Sequence, residues 1–124
     1  MDKTPRLAEG EYRFAALVWQ NEPLSSGQLA AKAAQELGWK KSTYYTVLKK
    51  LCDRGILLNK NGTVTALVKQ EQVQQCESAS VVEKTFDGSL PRFVAAFLNT
   101  RSISPEEAAA IRKLLDEAES REEE

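Results

Sequence analysis

The run from Trp39 to Leu58, WKKSTYYTVLKKLCDRGILL, continued by NKNGTVTALV, constrains the fold more tightly than any other part of this chain. Tyr44, Val47, Leu48 and Leu51 recur at the spacing that lines one face of an α-helix. The opposite face carries Ser42, Thr43, Tyr45, Thr46, Lys49 and Lys50: hydroxyls that suit base edges and cations that suit phosphates. Gly55 stands where a helix commonly ends in the left-handed conformation. Two β-rich runs then flank Asn61-Gly62, the dipeptide that most strongly marks a tight hairpin. With two helical segments ahead of it, the order is helix, helix, basic helix, hairpin. That is the order of a winged helix, a helix-turn-helix relative whose third helix enters the DNA major groove.

The first helix is expected from about Ala8 to Gln20, with Leu7, Phe14, Leu17, Val18 and Trp19 turned to the core. Pro23 ends it, because the residue before a proline avoids the helical region. Ser25-Ser26-Gly27-Gln28 has the form of a capping box, a serine followed by a glutamine three positions on. The second helix passes through Leu29, Ala30, Ala33, Ala34 and Leu37 to Gly38. Its alanines permit the close approach of a helix supporting a recognition helix, and equally describe an ordinary alanine-rich face. Lys40 and Lys41 open the third helix, where the helix dipole disfavours cations and a phosphate would compensate them. In the hairpin, Val64, Ala66 and Val68 alternate with Thr63, Thr65 and Leu67 as a half-buried strand would. Lys60 and Asn61 fall at its tip, within reach of a phosphate or the minor groove.

The rear of the chain reads as helical throughout. A fourth helix is expected from Lys69 to Thr85, with Val73, Cys76, Val81 and Val82 facing inward, then a turn at Phe86-Asp87-Gly88-Ser89. A fifth, from Leu90 to Asn99, is apolar almost all round through Phe93, Val94, Ala95, Ala96, Phe97 and Leu98. Ser104-Pro105-Glu106-Glu107 starts a sixth, with Ala108, Ile111, Leu114, Leu115 and Ala118 on one stripe. A helix apolar on every side has to be covered. A second copy of the same arm, forming a twofold dimer through Phe93, Phe97, Ile111 and Leu115, is the simplest cover. The arm folding back on its own winged helix is the other.

Histidine is absent, which removes the commonest general base and the commonest transition-metal ligand together. Cys52 and Cys76 are scattered and leave no zinc pattern, and there is no GxGxxG, P-loop or GxSxG. No enzymatic role, cofactor or metal is expected. The N-terminus, MDKTPRLAEGEYR, lacks the apolar region of a signal peptide, and no apolar run approaches the ~20 residues of a membrane span. Reduced thiols in a cytoplasm are the expectation. The net charge of −1 hides an asymmetry. Residues 1–70 hold 11 Lys and Arg against 6 Asp and Glu, and residues 71–124 hold 6 against 12. The partition suggests that only the front half meets a polyanion, and equally describes an uneven distribution of charge with a solvated acidic tail at Glu117–Glu124.

Across residues 7–118 the chain resembles the penicillinase and methicillin-resistance repressor family. The likeness is carried by Leu7, Glu11 and Trp19, by Thr43, Thr46, Leu48, Leu51 and Gly55 within STYYTVLKKLCDRGIL, and by FDGSLPRFVAAFLN followed by Ser104, Glu107, Leu114 and Leu115. The resemblance implies a homodimeric cytoplasmic repressor on an inverted-repeat operator in double-stranded DNA. It also implies release by a membrane-embedded sensor metalloprotease, cutting by position between Ala96 and Phe97, with no insertion of the repressor itself into the membrane. The copper-responsive branch of the family has a C-terminal cysteine cluster that this chain lacks.

The expected fold is therefore mainly α with a small β-hairpin: a winged helix-turn-helix DNA-binding domain over 1–70 and a C-terminal helical dimerisation region over 71–124. Thr43 and Thr46 are the candidate base readers, with Ser42 and Tyr45 behind them. Lys40, Lys41, Lys49, Lys50 and Lys60 are the candidate phosphate contacts. A winged helix serving as a protein-interaction module, or a small-molecule-responsive regulator of similar fold, is the alternative.

Overall fold

Pro23 makes the first break in the helical course of the chain, as the residue pattern requires. The computed structural model describes residues 5–122, so the first four residues of the N-terminal segment and the last two of the acidic tail lie outside it. Helix α1 spans Glu9–Asn21, and Glu22 leaves it in extended conformation ahead of a cis bond to Pro23. Strand β1 is the pair Leu24–Ser25 and helix α2 is Ser26–Lys32. The capping box forms as expected. Ser25 Oγ accepts the Gln28 amide at 3.0 Å, and Gln28 Oε1 accepts the Ser25 amide at 2.9 Å.

The end of this second helix departs from the expected regular pattern. Ala33–Leu37 form a wider π-helical turn that shifts the phase of the side chains. Ala33 is fully buried, whereas Ala34, grouped with it on the alanine-rich face, is exposed. Helix α3 then spans Lys41–Asp53, and Gly55 follows at φ 77°, a conformation in which a side chain would be strained.

Strands β2, Leu57–Lys60, and β3, Thr63–Ala66, pair antiparallel with Lys60 opposite Thr63. Asn61 and Gly62 both take positive φ, 54° and 83°, as a two-residue hairpin turn twisted to match its strands demands. The strand stops at Ala66 rather than running to Val68, because the amides of Leu67 and Val68 turn to the carbonyl of Ile56. An isolated hairpin is marginal in water. Here β1 pairs with the free edge of β3, Leu24 opposite Val64, giving a three-stranded sheet in the order β1-β3-β2. Under that sheet Phe14, Val18, Leu29, Leu51 and Val64 are fully buried.

Helix α4 covers Gln70–Thr85. The chain divides into two compact units within it, the first ending at Ser80 and the second starting at Val81. In the first unit Val73 is buried, and the Trp19 indole donates to the Val68 carbonyl at 2.9 Å. The second unit holds the last turns of α4, then α5, Leu90–Leu98, and α6, Pro105–Glu122. Ser89 Oγ caps α5 by accepting the Arg92 amide at 3.2 Å, and Ser104 Oγ accepts the Glu107 amide at 3.0 Å. Phe86 and Phe93 meet edge to face at 5.5 Å. Neither α5 nor α6 contains a buried residue.

Candidate nucleic-acid interface

Helix α3 is held by its inner face, which frees its outer face for contact. Tyr44 is 1% exposed, its ring edge-on to Phe14 at 5.8 Å, and Phe14 in turn stacks on Trp39 at 5.2 Å. The Tyr44 hydroxyl donates to the Ser26 carbonyl at 2.8 Å. Its single proton being used there, the Ser26 hydroxyl must be the donor in the second bond, also 2.8 Å, back to the Tyr44 oxygen. Two bonds between the start of α2 and the first turn of α3 thus fix the angle between the supporting and the outer helix. Burial pushes the Tyr44 phenol pKa up, against the bond from Ser26, so it stays a neutral donor.

On the outer face Ser42, Thr46, Lys49 and Asp53 form a central stripe, one turn apart, all exposed. Thr43 and Lys50 flank it on one side and Lys41 and Tyr45 on the other. Tyr45 is 57% exposed, with its ring against Tyr44 at 4.9 Å. Lys40 precedes the helix as its N-cap, and its side chain makes no capping bond. Lys60 stands at the end of β2 beside the hairpin turn, and the Gly62 carbonyl accepts the Ser26 amide at 2.8 Å. The wing is therefore tied to the same residue that anchors α3.

The five lysines singled out by the sequence are not equivalent. Lys40, Lys41 and Lys60 make no ion pair among the described residues. Lys49 Nζ lies 2.7 Å from Asp53 on the same helix, and the hydrogen bond to that carboxylate raises the lysine pKa. Lys50 Nζ lies 2.7 Å from Glu11 of α1. Sequence reasoning did not register Asp53 as part of this face. The four-residue spacing from Lys49 was the available signal. The link from Lys50 to Glu11 joins two helices and leaves no mark in local spacing.

A family model described as penicillinase repressor matches residues 7–117. The chain is 23% identical over 128 residues to the penicillinase repressor of Bacillus licheniformis, with the whole of both chains covered. It is 19% identical over 119 residues to the methicillin resistance regulatory protein MecI of Staphylococcus aureus, covering 93% of this chain and 97% of that one. Among solved structures it is similar to the DNA-binding domain of the repressor BlaI, determined in solution. That match has a TM-score of 0.52 and 20% identity, covering 58% of this chain and 93% of that domain.

Proposed function

The chain belongs to the penicillinase repressor family, and from that premise we propose that it is a DNA-binding transcriptional repressor which sets α3 in the major groove. The observation that carries this reading is the outer face of α3, where hydroxyls and lysines are exposed while every large apolar side chain of the helix except Tyr45 is turned inward. Thr43 and Thr46 read base edges, assisted by Ser42 and Tyr45, since a threonine offers a methyl to thymine and a hydroxyl to base acceptors. Lys40, Lys41 and Lys60 meet phosphates, joined by Lys49 and Lys50, and these contacts supply affinity and register rather than sequence information.

The division of labour follows the chain: residues 1–70 bind the operator and 71–124 join two protomers, through Phe93, Phe97, Ile111 and Leu115. A dimer of this kind reads an inverted repeat, one half-site per protomer. Cutting between Ala96 and Phe97 by a sensor metalloprotease would separate α6 from the rest of the chain. The affinity gained by linking two half-site contacts would then be lost. That bond lies inside α5, so the helix must unwind locally before a protease can act on it. No helix among the described residues is long and apolar enough to cross a membrane, in keeping with a repressor that works in the cytoplasm.

The test is binding of the full chain to duplex DNA across a salt series. If each protomer neutralises about four phosphates, log K should fall with log salt at a slope near roughly −7 for the dimer. A chain that ignores random duplex at low salt would overturn the assignment and favour a protein-interaction role for the same fold.

A further inference from the structure

Glu11 is the most heavily engaged carboxylate among the described residues. It accepts the Ala8 amide at 2.9 Å and pairs with Lys50 at 2.7 Å and with Arg54 at 3.4 Å, and its side chain is only 12% exposed. Arg54 also donates to the Arg6 carbonyl, which binds the chain ahead of α1 to the end of α3. The Lys49–Asp53 pair differs in kind. Both of its side chains are more than 60% exposed, at 77% and 63%, so Asp53 can swing aside into water and salt screens it. Glu11 has no such freedom, because the Ala8 amide pins it and the surrounding chain shields it.

From this geometry we propose that Glu11 withholds positive charge from DNA, by holding Lys50 and Arg54 partly neutralised at the C-terminal end of α3. A phosphate approaching Lys50 meets a cation already shared with a fixed anion 2.7 Å away. Lys40 and Lys41 at the other end of the helix, and Lys60 on the wing, meet no such opposition among the described residues. The sequence-independent part of binding is thereby reduced, and the share decided by base contacts is increased. Burial alone would raise the Glu11 pKa. The bonds from Lys50 and the Ala8 amide, with the charges of Lys50 and Arg54, outweigh it and hold the carboxyl below its ordinary range, so the anion is present at neutral pH. The inference rests on the DNA-binding reading above and names the residue that tempers it.

The experiment measures the salt dependence of full-length protein on a fluorescein-labelled random-sequence duplex. Glu11→Gln keeps the shape and an acceptor for the Ala8 amide while removing the charge. It should bind random duplex more tightly at low salt, with a slope steeper by up to about 2 for the dimer, one added phosphate per protomer. Adding Lys50→Gln to that variant should return the slope toward the natural value. In the natural background, Lys50→Gln should flatten the slope by less than half as much as Lys41→Gln, a comparison that holds even if Glu11→Gln fails to fold. A merely structural Glu11 would instead leave the slope unchanged in folded Glu11→Gln, and equal slope changes for Lys50→Gln and Lys41→Gln would also overturn the inference. If the natural chain does not bind random duplex at all, the repressor assignment falls, and this inference with it.

Discussion

In the first unit Phe14, Val18, Leu29, Leu51 and Val64 are removed from water altogether, whereas no residue of α5 or α6 is fully buried and Leu114 is left 64% exposed. Both regions carry strongly patterned helices, so periodicity alone does not create a core. The front half surrounds its apolar residues on several sides with three helices and a three-stranded sheet. The rear half offers apolar stripes from two helices, and apart from the half-buried Phe93 and Ala108 the apolar residues of those helices are exposed. A single front unit contains its own partners, while the rear unit leaves Phe97, Leu98, Ile111 and Leu115 exposed, the surface that the proposed dimer would cover.

The most forceful way to break this contrast is through the front core. Phe14→Ala should cost about 3–5 kcal/mol by leaving a cavity between Trp39 and Tyr44. Both tryptophans, Trp19 and Trp39, lie in the first unit, so urea unfolding followed by tryptophan fluorescence reports that unit selectively. A loss under 1 kcal/mol would mean the front core is less self-sufficient than its burial implies.

The matching probe of the rear is Phe97→Asp, which would place an unpaired charge in the proposed apolar contact and weaken association by about 3–5 kcal/mol. Sedimentation should show a dimer for the natural chain and mainly monomer for the variant, with the tryptophan-reported unfolding of the variant little changed. A natural chain that is monomeric at micromolar concentration would refute the dimer.

How legible this architecture was depends on which kind of interaction built each piece. The capping box at Ser25 and Gln28, the Asn61-Gly62 turn and the inward face of α3 are local, so residue spacing announced them. Strand β1 is two residues long, too short to show a period, and it exists only because the edge of β3 is available to pair with Leu24. The π-helical turn at Ala33–Leu37 was likewise invisible, since alanines fit a regular helix equally well. Within the candidate site, residue chemistry pointed to the hydroxyls and lysines, but which lysines are already paired depends on packing between α1 and α3.

Thr46→Ala sharpens the contrast by separating reading from holding. It should weaken binding to the operator by ~1–3 kcal/mol, leaving random duplex and the oligomeric state unaffected. Equal losses on operator and random DNA, measured by fluorescence anisotropy, would remove Thr46 from the readers.

The smallest expected effect is a pH dependence confined to the front. Because the folded Glu11 pKa lies below the ordinary value of 4.5, its contribution to stability is present above that pH and is lost as pH falls through the folded pKa. The difference in unfolding free energy between the natural chain and Glu11→Gln should therefore shrink on acidification. A difference that stays constant from neutral pH down to pH ~3 would show that the ion pair contributes nothing measurable.

The turn at Asn61 and Gly62 has a consequence for how such a protein can diversify. A hairpin closed by two residues, and tied at Gly62 to the start of α2, has almost no backbone freedom left to lose when it meets a ligand. A contact made by it would cost little entropy, and its reach would be set by the length of the Lys60 side chain. Relatives could lengthen the wing to gain reach only by surrendering that rigidity. For a chain that keeps the turn this tight, changes of target sequence are left to fall on the exposed positions of α3, where one side chain can be exchanged without moving the backbone.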